Sequence, residues 1–233
     1  MVHSLRFMKN GLLNNMLLKE LIVPFAQGSL VTLQVFFGTL MFSLPLAVLA
    51  ASLLQTTNKI LQFLFKIFVL VERGTPLLLQ MMFVYFGLPK MGITLNRTAS
   101  IFTAFILNYM AYFMEIVRGG IQSVDIGQAE AAQVLGFSKT ASYLRIVLPQ
   151  ALRNCLPSIG NEVLTLIKDT SLITVLGASE LLKAGRSAVN TYGTAIPFIY
   201  VGIIYLMMTS LADFTISKIE NRYKPAGDQY VKS

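Results

Sequence analysis

Long apolar runs alternate with short polar stretches along the whole chain. No charged residue occurs from Leu21 to Asn58, and a helix of about 20 apolar residues is enough to cross roughly 30 Å of hydrocarbon. The pattern therefore predicts an all-α, polytopic membrane protein with about five transmembrane helices in a single domain, residues 1–233. The predicted spans are residues 29–54, 60–88, 98–117, 152–176 and 187–212.

The second predicted span is the least regular of these. It carries Lys66, Glu72 and Arg73. Gly74-Thr75-Pro76 follow directly, and proline breaks the helical hydrogen-bond ladder and disfavours helical geometry in the residue before it. We therefore expect a discontinuous or kinked span whose freed backbone groups line a polar pathway.

Composition supports a membrane location. Hydrophobic residues make up 55% of the chain and charged residues only 13%, and the mean hydropathy is +0.64. The net charge of +8 comes mostly from Lys and Arg residues that flank apolar runs, without the basic and aromatic interleaving of a nucleic-acid surface. We therefore expect a lipid bilayer and no nucleic acid as partner. The distribution of Lys and Arg favours an outer N-terminus and a cytoplasmic C-terminus.

The longest hydrophilic segment, residues 119–151, is called the EAA segment below. Glu130-Ala131-Ala132 is followed after three residues by Gly136, and nine residues later comes Ile146, with Leu148-Pro149 closing the pattern. A pattern with this many defined positions is specific, so the segment is the first candidate for function.

Local preferences predict two short helices within the EAA segment. Residues 129–135 are good helix formers, and Gly136 can take the left-handed conformation that ends a helix. Ser138 can cap a second helix that runs to about Val147, before Pro149. The turn would suit insertion into a groove on a partner, although a helix lying on the lipid surface also fits the pattern. The apolar residues at the turn are Val134, Leu135 and Phe137, with Glu130 and Lys139 nearby.

This spacing resembles the EAA loop in the permease subunits of bacterial ATP-binding-cassette importers, and every defined position is matched. Arg73-Gly74-Thr75-Pro76 with Gln80, and Lys168-Asp169-Thr170-Ser171, are similar to the polar amino-acid branch of that family, the histidine, glutamine and arginine permeases. The resemblance implies a type I importer permease in a bacterial inner membrane, with a cytoplasmic coupling helix that docks on an ATPase. The predicted ATPase-coupling residues are Glu130, Ala131, Ala132, Leu135, Gly136, Phe137, Ile146, Leu148 and Pro149.

The resemblance also implies a set of partners. No GxxxxGK[ST] phosphate loop occurs in the chain, so we expect ATP and magnesium in a separate ATPase and no cofactor in this chain. The other implied partners are a second permease subunit, identical or homologous, an extracytoplasmic solute-binding protein and an amino-acid substrate.

Polar residues inside the predicted spans are candidates for the substrate pathway, because an ionisable side chain in a bilayer costs roughly 2.5 to 3.5 kcal/mol and needs a partner or water. Glu162, Thr165 and Asp169 share one helix face by their spacing. Two interpretations remain. Either Arg73 meets a substrate carboxylate and Glu162 or Asp169 an ammonium group in a cavity between the second and fourth spans, or Arg73 pairs with Glu72 or Asp169. The candidate pathway residues are Arg73, Gly74, Thr75, Pro76, Gln80, Glu162, Thr165, Lys168, Asp169, Thr170 and Ser171.

Two other classes of function fit part of the pattern. A secondary transporter would also show buried charges and a broken helix, but it needs no EAA segment. A membrane enzyme would need a nucleophile with its base or a metal cluster, whereas the chain has a single cysteine, Cys155, and a single histidine, His3. We therefore expect a non-catalytic subunit with no metal site. The segment 177–193 is either a short outer helix or a solvated loop.

Overall fold

The computed structural model describes the backbone of residues 2–55 and 58–223 and the side chains of residues 20–55 and 58–223. Within these ranges the chain is almost entirely helical and has no β-strand, which confirms the all-α prediction. In chain order the helices are α1 (Val2–Leu53), α2 (Lys59–Gly74), α3 (Leu77–Met82), α4 (Arg97–Gln122), α5 (Ile126–Val134), α6 (Lys139–Ser142), α7 (Leu148–Asn154), α8 (Leu156–Asp169), α9 (Leu181–Tyr192) and α10 (Ile196–Tyr223).

By length and composition, three of the described helices are able to cross a membrane: the Glu20–Leu53 part of α1, α4 and α10. The α2 helix and the helical stretch Leu77–Met91 pass the same test together, with a bend of 103° between them. The described residues therefore hold three candidate spans, or four if the bent pair is one span. They correspond to the first, second, third and fifth predicted spans.

The fourth predicted span does not form one helix. The α7 helix ends at Asn154, α8 follows, and a 3₁₀ turn occupies Thr170–Leu176. Pro157 lies in the first turn of α8, where its missing N–H is tolerated but where it cannot continue a preceding helix. With 14 residues, α8 alone is shorter than the about 20 residues that cross a bilayer.

The start of the fifth predicted span also needs correction. Ser187, its predicted first residue, lies in α9. The α9 helix ends at Tyr192, and Gly193 after it has a φ of +65, in the left-handed region that favours glycine. The apolar span α10 begins only at Ile196.

The chain forms two compact units. The first comprises the described residues up to Phe36 together with Ile167–Met208. Within it α9 lies close to α1. The approach is so close that a Cβ on Gly28 would stand 2.8 Å from the Cα of Leu181. The hydrophobic core of this unit is built from Leu21, Phe25, Leu181, Ala188 and Val201.

The second unit comprises Phe37–Leu166 and the described residues from Thr209 onward. The α4 helix is its most buried element. Phe105, Tyr109 and Phe113 follow each other at four-residue spacing and are at most 1% exposed. Their ring centroids lie 6.3 and 6.0 Å apart, a separation at which aromatic side chains attract each other. The α4 helix packs against α2, α3 and α7.

Candidate transport cavity and EAA segment

The break after α2 follows from the local sequence. Thr75 is extended, with φ −125° and ψ 149°, as expected for a residue that precedes proline. Pro76 then leads into α3, and its carbonyl accepts the amide of Gln80 at 3.1 Å. The predicted kink is therefore confirmed as a sharp change of helix direction.

Two side-chain amides replace the helical hydrogen bonds that the break removes. Nε2 of Gln80 donates to the carbonyl of Glu72 and to Oγ1 of Thr75, both at 2.8 Å. Nδ2 of Asn108, on α4, donates to the same Glu72 carbonyl and to Oε1 of Gln80, both at 3.0 Å. Asn108 is only 4% exposed, and a buried carbonyl without a donor is costly. Thr75 and Gln80 thus have a structural role at the bend, and their predicted role in the pathway stays a prediction.

A cavity of about 680 Å³ lies beside this bend in the second unit. It reaches from the ends of α1 and α4 to Arg73 and Gly74 at the break, so these two predicted pathway residues lie in its wall. Thr75, Pro76, Gln80, Glu162 and Thr165 are not among its lining residues. The lining residues are Leu54, Gln55, Gln62, Phe65, Lys66, Val69, Leu70, Arg73, Gly74, Met114, Glu115, Arg118 and Gln122.

The cavity wall carries three cationic side chains and one carboxylate. Arg118 donates to both oxygens of Glu115, at 2.9 and 2.6 Å, which is the bidentate geometry of a strong charge-assisted pair. Arg73 approaches the same carboxylate only to 3.7 Å, and its guanidinium lies 5.2 Å from the ring centroid of Tyr112. Lys66 is the third cation. The cavity therefore has an excess of positive charge.

The predicted pairing of Arg73 with Glu72 needs correction. The structure pairs Arg73 with Glu115, and among the described residues it records no salt bridge between Arg73 and its neighbour Glu72. Oε2 of Glu72 is buried and has no hydrogen-bond partner among the described residues. Sequence analysis assigned no role to Glu115. Its spacing of three from Arg118 was the signal for an ion pair on one helix face.

The other predicted pathway residues lie on α8 and after it. Glu162 is partly exposed, and Thr165 donates its hydroxyl to the carbonyl of Asn161 at 3.1 Å. In the first unit, Asp169 is partly exposed and Thr170 is fully buried. Lys168 and Ser171 line a separate cavity of about 400 Å³.

The segment 177–193 forms a helix, α9, which settles the choice between helix and loop. Glu180 caps it: the carboxylate is fully buried and accepts the amides of Leu182 and Lys183 at 2.6 and 2.7 Å. The hydroxyl of Tyr205 donates to the same carboxylate at 3.1 Å. Burial raises the pKa of Glu180, and the two amides, the tyrosine hydroxyl and the charge of Arg186 act in the opposite direction. Sequence reasoning singled out no role for Glu180, because glutamate is not among the preferred N-cap residues, which are Ser, Thr, Asp and Asn.

The EAA segment has the predicted turn. Gly136 follows α5 with φ +87, and the amides of Gly136 and Phe137 donate to the carbonyls of Gln133 and Ala132, both at 3.0 Å. This is the double hydrogen bond of a glycine-terminated helix. Oγ of Ser138 then accepts the amide of Ala141 at 3.2 Å and caps α6. Both local predictions are confirmed.

The second helix of the EAA segment does not end before Pro149. A π turn, Tyr143–Val147, follows α6, and the amide of Leu148 donates to the carbonyl of Tyr143, five residues back. The wider turn leads into α7 with Pro149 near its start, where no intrahelical donor is needed. The helical path therefore continues to Asn154.

Apolar side chains project from the turn. Val134 is 87% exposed and Leu135 is 78% exposed, whereas Ala132 is buried behind them. Glu130 and Lys139 are exposed beside them. Val134 and Leu135 therefore form a small exposed apolar surface flanked by two charged residues.

Comparison with known proteins agrees with this architecture. The family described as the binding-protein-dependent transport system inner membrane component matches residues 43–225. The arginine transport system permease protein ArtQ of Bacillus subtilis (strain 168) is 33% identical, over 87% of this chain and 94% of its own length. The putative glutamine transport system permease protein GlnP of Rickettsia bellii (strain RML369-C) is 34% identical, over 84% of this chain and 91% of its own length.

Solved structures share the fold. A crystal structure of an amino acid ABC transporter with histidines has a TM-score of 0.81 and 29% identity, and covers 88% of this chain and 96% of its own. The methionine ABC transporter MetNI in an inward-facing conformation has a TM-score of 0.71 at 16% identity, covering 88% of this chain and 99% of its own, which supports the fold alone. The relatives named above are transport permeases rather than enzymes. The resemblance seen in the EAA segment is thereby confirmed, and the chain belongs to the family of inner-membrane components of binding-protein-dependent transport systems.

Proposed function

We propose that this permease carries an amino acid through the cavity beside α2 and α4, and that Arg73 binds the substrate carboxylate there. The geometry of Arg73 carries the proposal. Its distance of 3.7 Å from Glu115 exceeds normal hydrogen-bond length, and its side chain is 43% exposed. The planar guanidinium therefore keeps N–H donors with which to hold a carboxylate in the bidentate manner.

The charges of the cavity fit a zwitterion. Three cations face one carboxylate, and that carboxylate, Glu115, is already held by Arg118. A substrate carboxylate would offset the excess positive charge, and its ammonium group would lie within reach of Glu115. The cavity volume of about 680 Å³ lies within the usual range for small-molecule sites, roughly 300 to 1,000 Å³. Arginine and glutamine, named for two relatives, both have this pair of groups.

The same proposal assigns the EAA segment to an ATPase partner. Exposed Val134 and Leu135 at a turn fixed by Gly136 would insert into a groove of the ATPase, which binds ATP and magnesium. A second permease subunit and an extracytoplasmic solute-binding protein complete the importer. In this arrangement the EAA segment and the C-terminus face the cytoplasm of a bacterium, and the N-terminus faces outward.

Substitution of Arg73 tests the substrate site. In the assembled importer, Arg73→Gln should raise the half-saturation concentration for amino-acid uptake by about 10- to 100-fold, because a hydrogen bond to a charged group is worth roughly 1.5 to 3 kcal/mol. Lys66→Gln, which removes a cation from the same cavity, is the matched control and should change it less than about threefold. Equal effects of the two variants, or none, would contradict the assignment of Arg73.

A further inference from the structure

Tyr143 joins the EAA segment to the end of α1. Its hydroxyl and Oγ of Ser52 are 2.8 Å apart, although the residues are 91 positions apart in the chain. Ser52 donates its own proton to the carbonyl of Val48 at 2.7 Å. Since a serine hydroxyl has one proton and two lone pairs, the Ser52 oxygen acts as the acceptor and Tyr143 as the donor.

The end of α1 is a wall of the Arg73 cavity. Leu54 and Gln55, directly beyond Ser52 and Leu53, line it. The carbonyl of Leu54 accepts Nε2 of Gln62 at 3.3 Å, and Gln62 lines the same cavity from α2. Ser52 is therefore connected, through Leu54 two residues further on, to side chains on two walls of the cavity.

The position of Tyr143 within the EAA segment is unusual. It is the first residue of the π turn Tyr143–Val147, a geometry that is rare and frequent at functional sites. The turn directs Tyr143 inward, where it is partly buried, while the next residue, Leu144, is 53% exposed. Tyr143 is not one of the defined positions of the EAA pattern, so the resemblance assigns it no role.

The α7 helix, which continues from the EAA segment, also contacts α4. The carbonyl of Ala151 packs so closely on Gly120 that a Cβ there would lie 2.6 Å away. Nδ2 of Asn154 donates to Oγ of Ser123 at 2.9 Å in an exposed contact. Backbone packing, rather than the Asn154 hydrogen bond, therefore holds α7 on α4. The Tyr143 hydrogen bond is instead a side-chain link to α1.

We propose that Tyr143 is a positioning residue for transport, whose hydrogen bond to Ser52 passes movement of the EAA segment to the cavity wall formed by α1 and α2. The inference rests on the proposed function, in which the EAA segment docks on the ATPase. When the ATPase displaces the segment, Ser52 and the cavity residues beyond it move with Tyr143.

The test compares Tyr143→Phe, Ser52→Ala and the double variant in the complete importer, reconstituted in liposomes. The readout is the number of amino-acid molecules taken up per ATP hydrolysed. Each single variant should lower this ratio about two- to tenfold, the factor that one hydrogen bond is worth. The double variant should be no worse than the single variants, because they remove the same bond. Asn154→Ala, the control, should keep the parental ratio.

A merely structural role would lower the melting temperature or the yield of the complex and leave the ratio unchanged. That result, or a double variant whose loss is the product of the single losses, would overturn the inference and leave the proposed function intact. A parental importer that shows no ATP-driven amino-acid uptake would overturn the proposed function and this inference with it.

Discussion

Replacement of Gly136 tests how the turn of the EAA segment contributes to coupling. Gly136 has φ +87, and a Cβ built there would meet no atom within 4 Å. The cost of a side chain is therefore backbone strain alone, roughly 1 to 2 kcal/mol for an L-residue in the left-handed region. A β-branched residue is a stronger outlier there. Gly136→Val should thus shift the turn to another conformation and change the direction from α5 to α6.

The change should separate ATP hydrolysis from transport. Since about 1.4 kcal/mol corresponds to a factor of ten, we expect Gly136→Val to lower the amino acids transported per ATP by about tenfold or more, with Gly136→Ala intermediate. The assay measures ATP hydrolysis and radiolabelled amino-acid uptake in the same liposomes. The variant should still insert in the membrane, because the substituted site is exposed.

Two other glycines provide matched controls. Gly92 has φ +86 and equally open surroundings but lies outside the EAA segment, so Gly92→Val should cost similar stability and keep the coupling ratio. Gly119, within α4, also has no atom near its Cβ position, and Gly119→Ala should be neutral or slightly stabilising. Parental coupling in Gly136→Val, or equal uncoupling in Gly92→Val, would contradict a specific role of the Gly136 turn in coupling.

The bend, the cap of α9 and the orientation are open to simpler tests. Asn108→Leu leaves the Glu72 carbonyl with one donor fewer and should lower stability by roughly 1 to 3 kcal/mol, seen as a lower melting temperature; an unchanged value would contradict the account of the bend. Burial raises the pKa of Glu180 above its ordinary 4.5, so the folded protein binds this proton more tightly and its stability should fall as pH rises from about 4.5 to the raised pKa. Glu180→Gln should flatten that dependence in thermal unfolding, and identical profiles would contradict it. With Cys155 replaced by Ala, an impermeant thiol reagent added to intact cells should label Ala195→Cys and spare Ser138→Cys, and the reverse pattern would overturn the orientation.

Features with local causes were predictable from the sequence. Gly136 and Ser138 carry the signals for the end of one helix and the start of the next within three residues, and the structure has both. The kink at Pro76 is equally local. The continuation through Pro149 was missed because a π turn has no residue signature of its own and depends on the packing around it.

Features that depend on packing between distant residues were not predictable. The Arg73 and Glu115 pair and the contact of Asn108 with Glu72, which are 36 positions apart, require α4 to lie on α2 in one register. Apolar periodicity predicts that helices form, but it does not specify which polar side chains then face each other. The interruption between α7 and α8 was missed for another reason, since average hydropathy does not register a break at Pro157 inside an apolar run.

Uptake into proteoliposomes shows directly whether ATP hydrolysis drives transport by this permease. The complete importer is reconstituted with ATP trapped beside the ATPase and with binding protein and radiolabelled amino acid on the opposite face. We expect accumulation that requires ATP, persists when ionophores collapse all ion gradients, and weakens in Arg73→Gln. Accumulation that follows an imposed ion gradient and proceeds without ATP would contradict it and identify a secondary transporter instead.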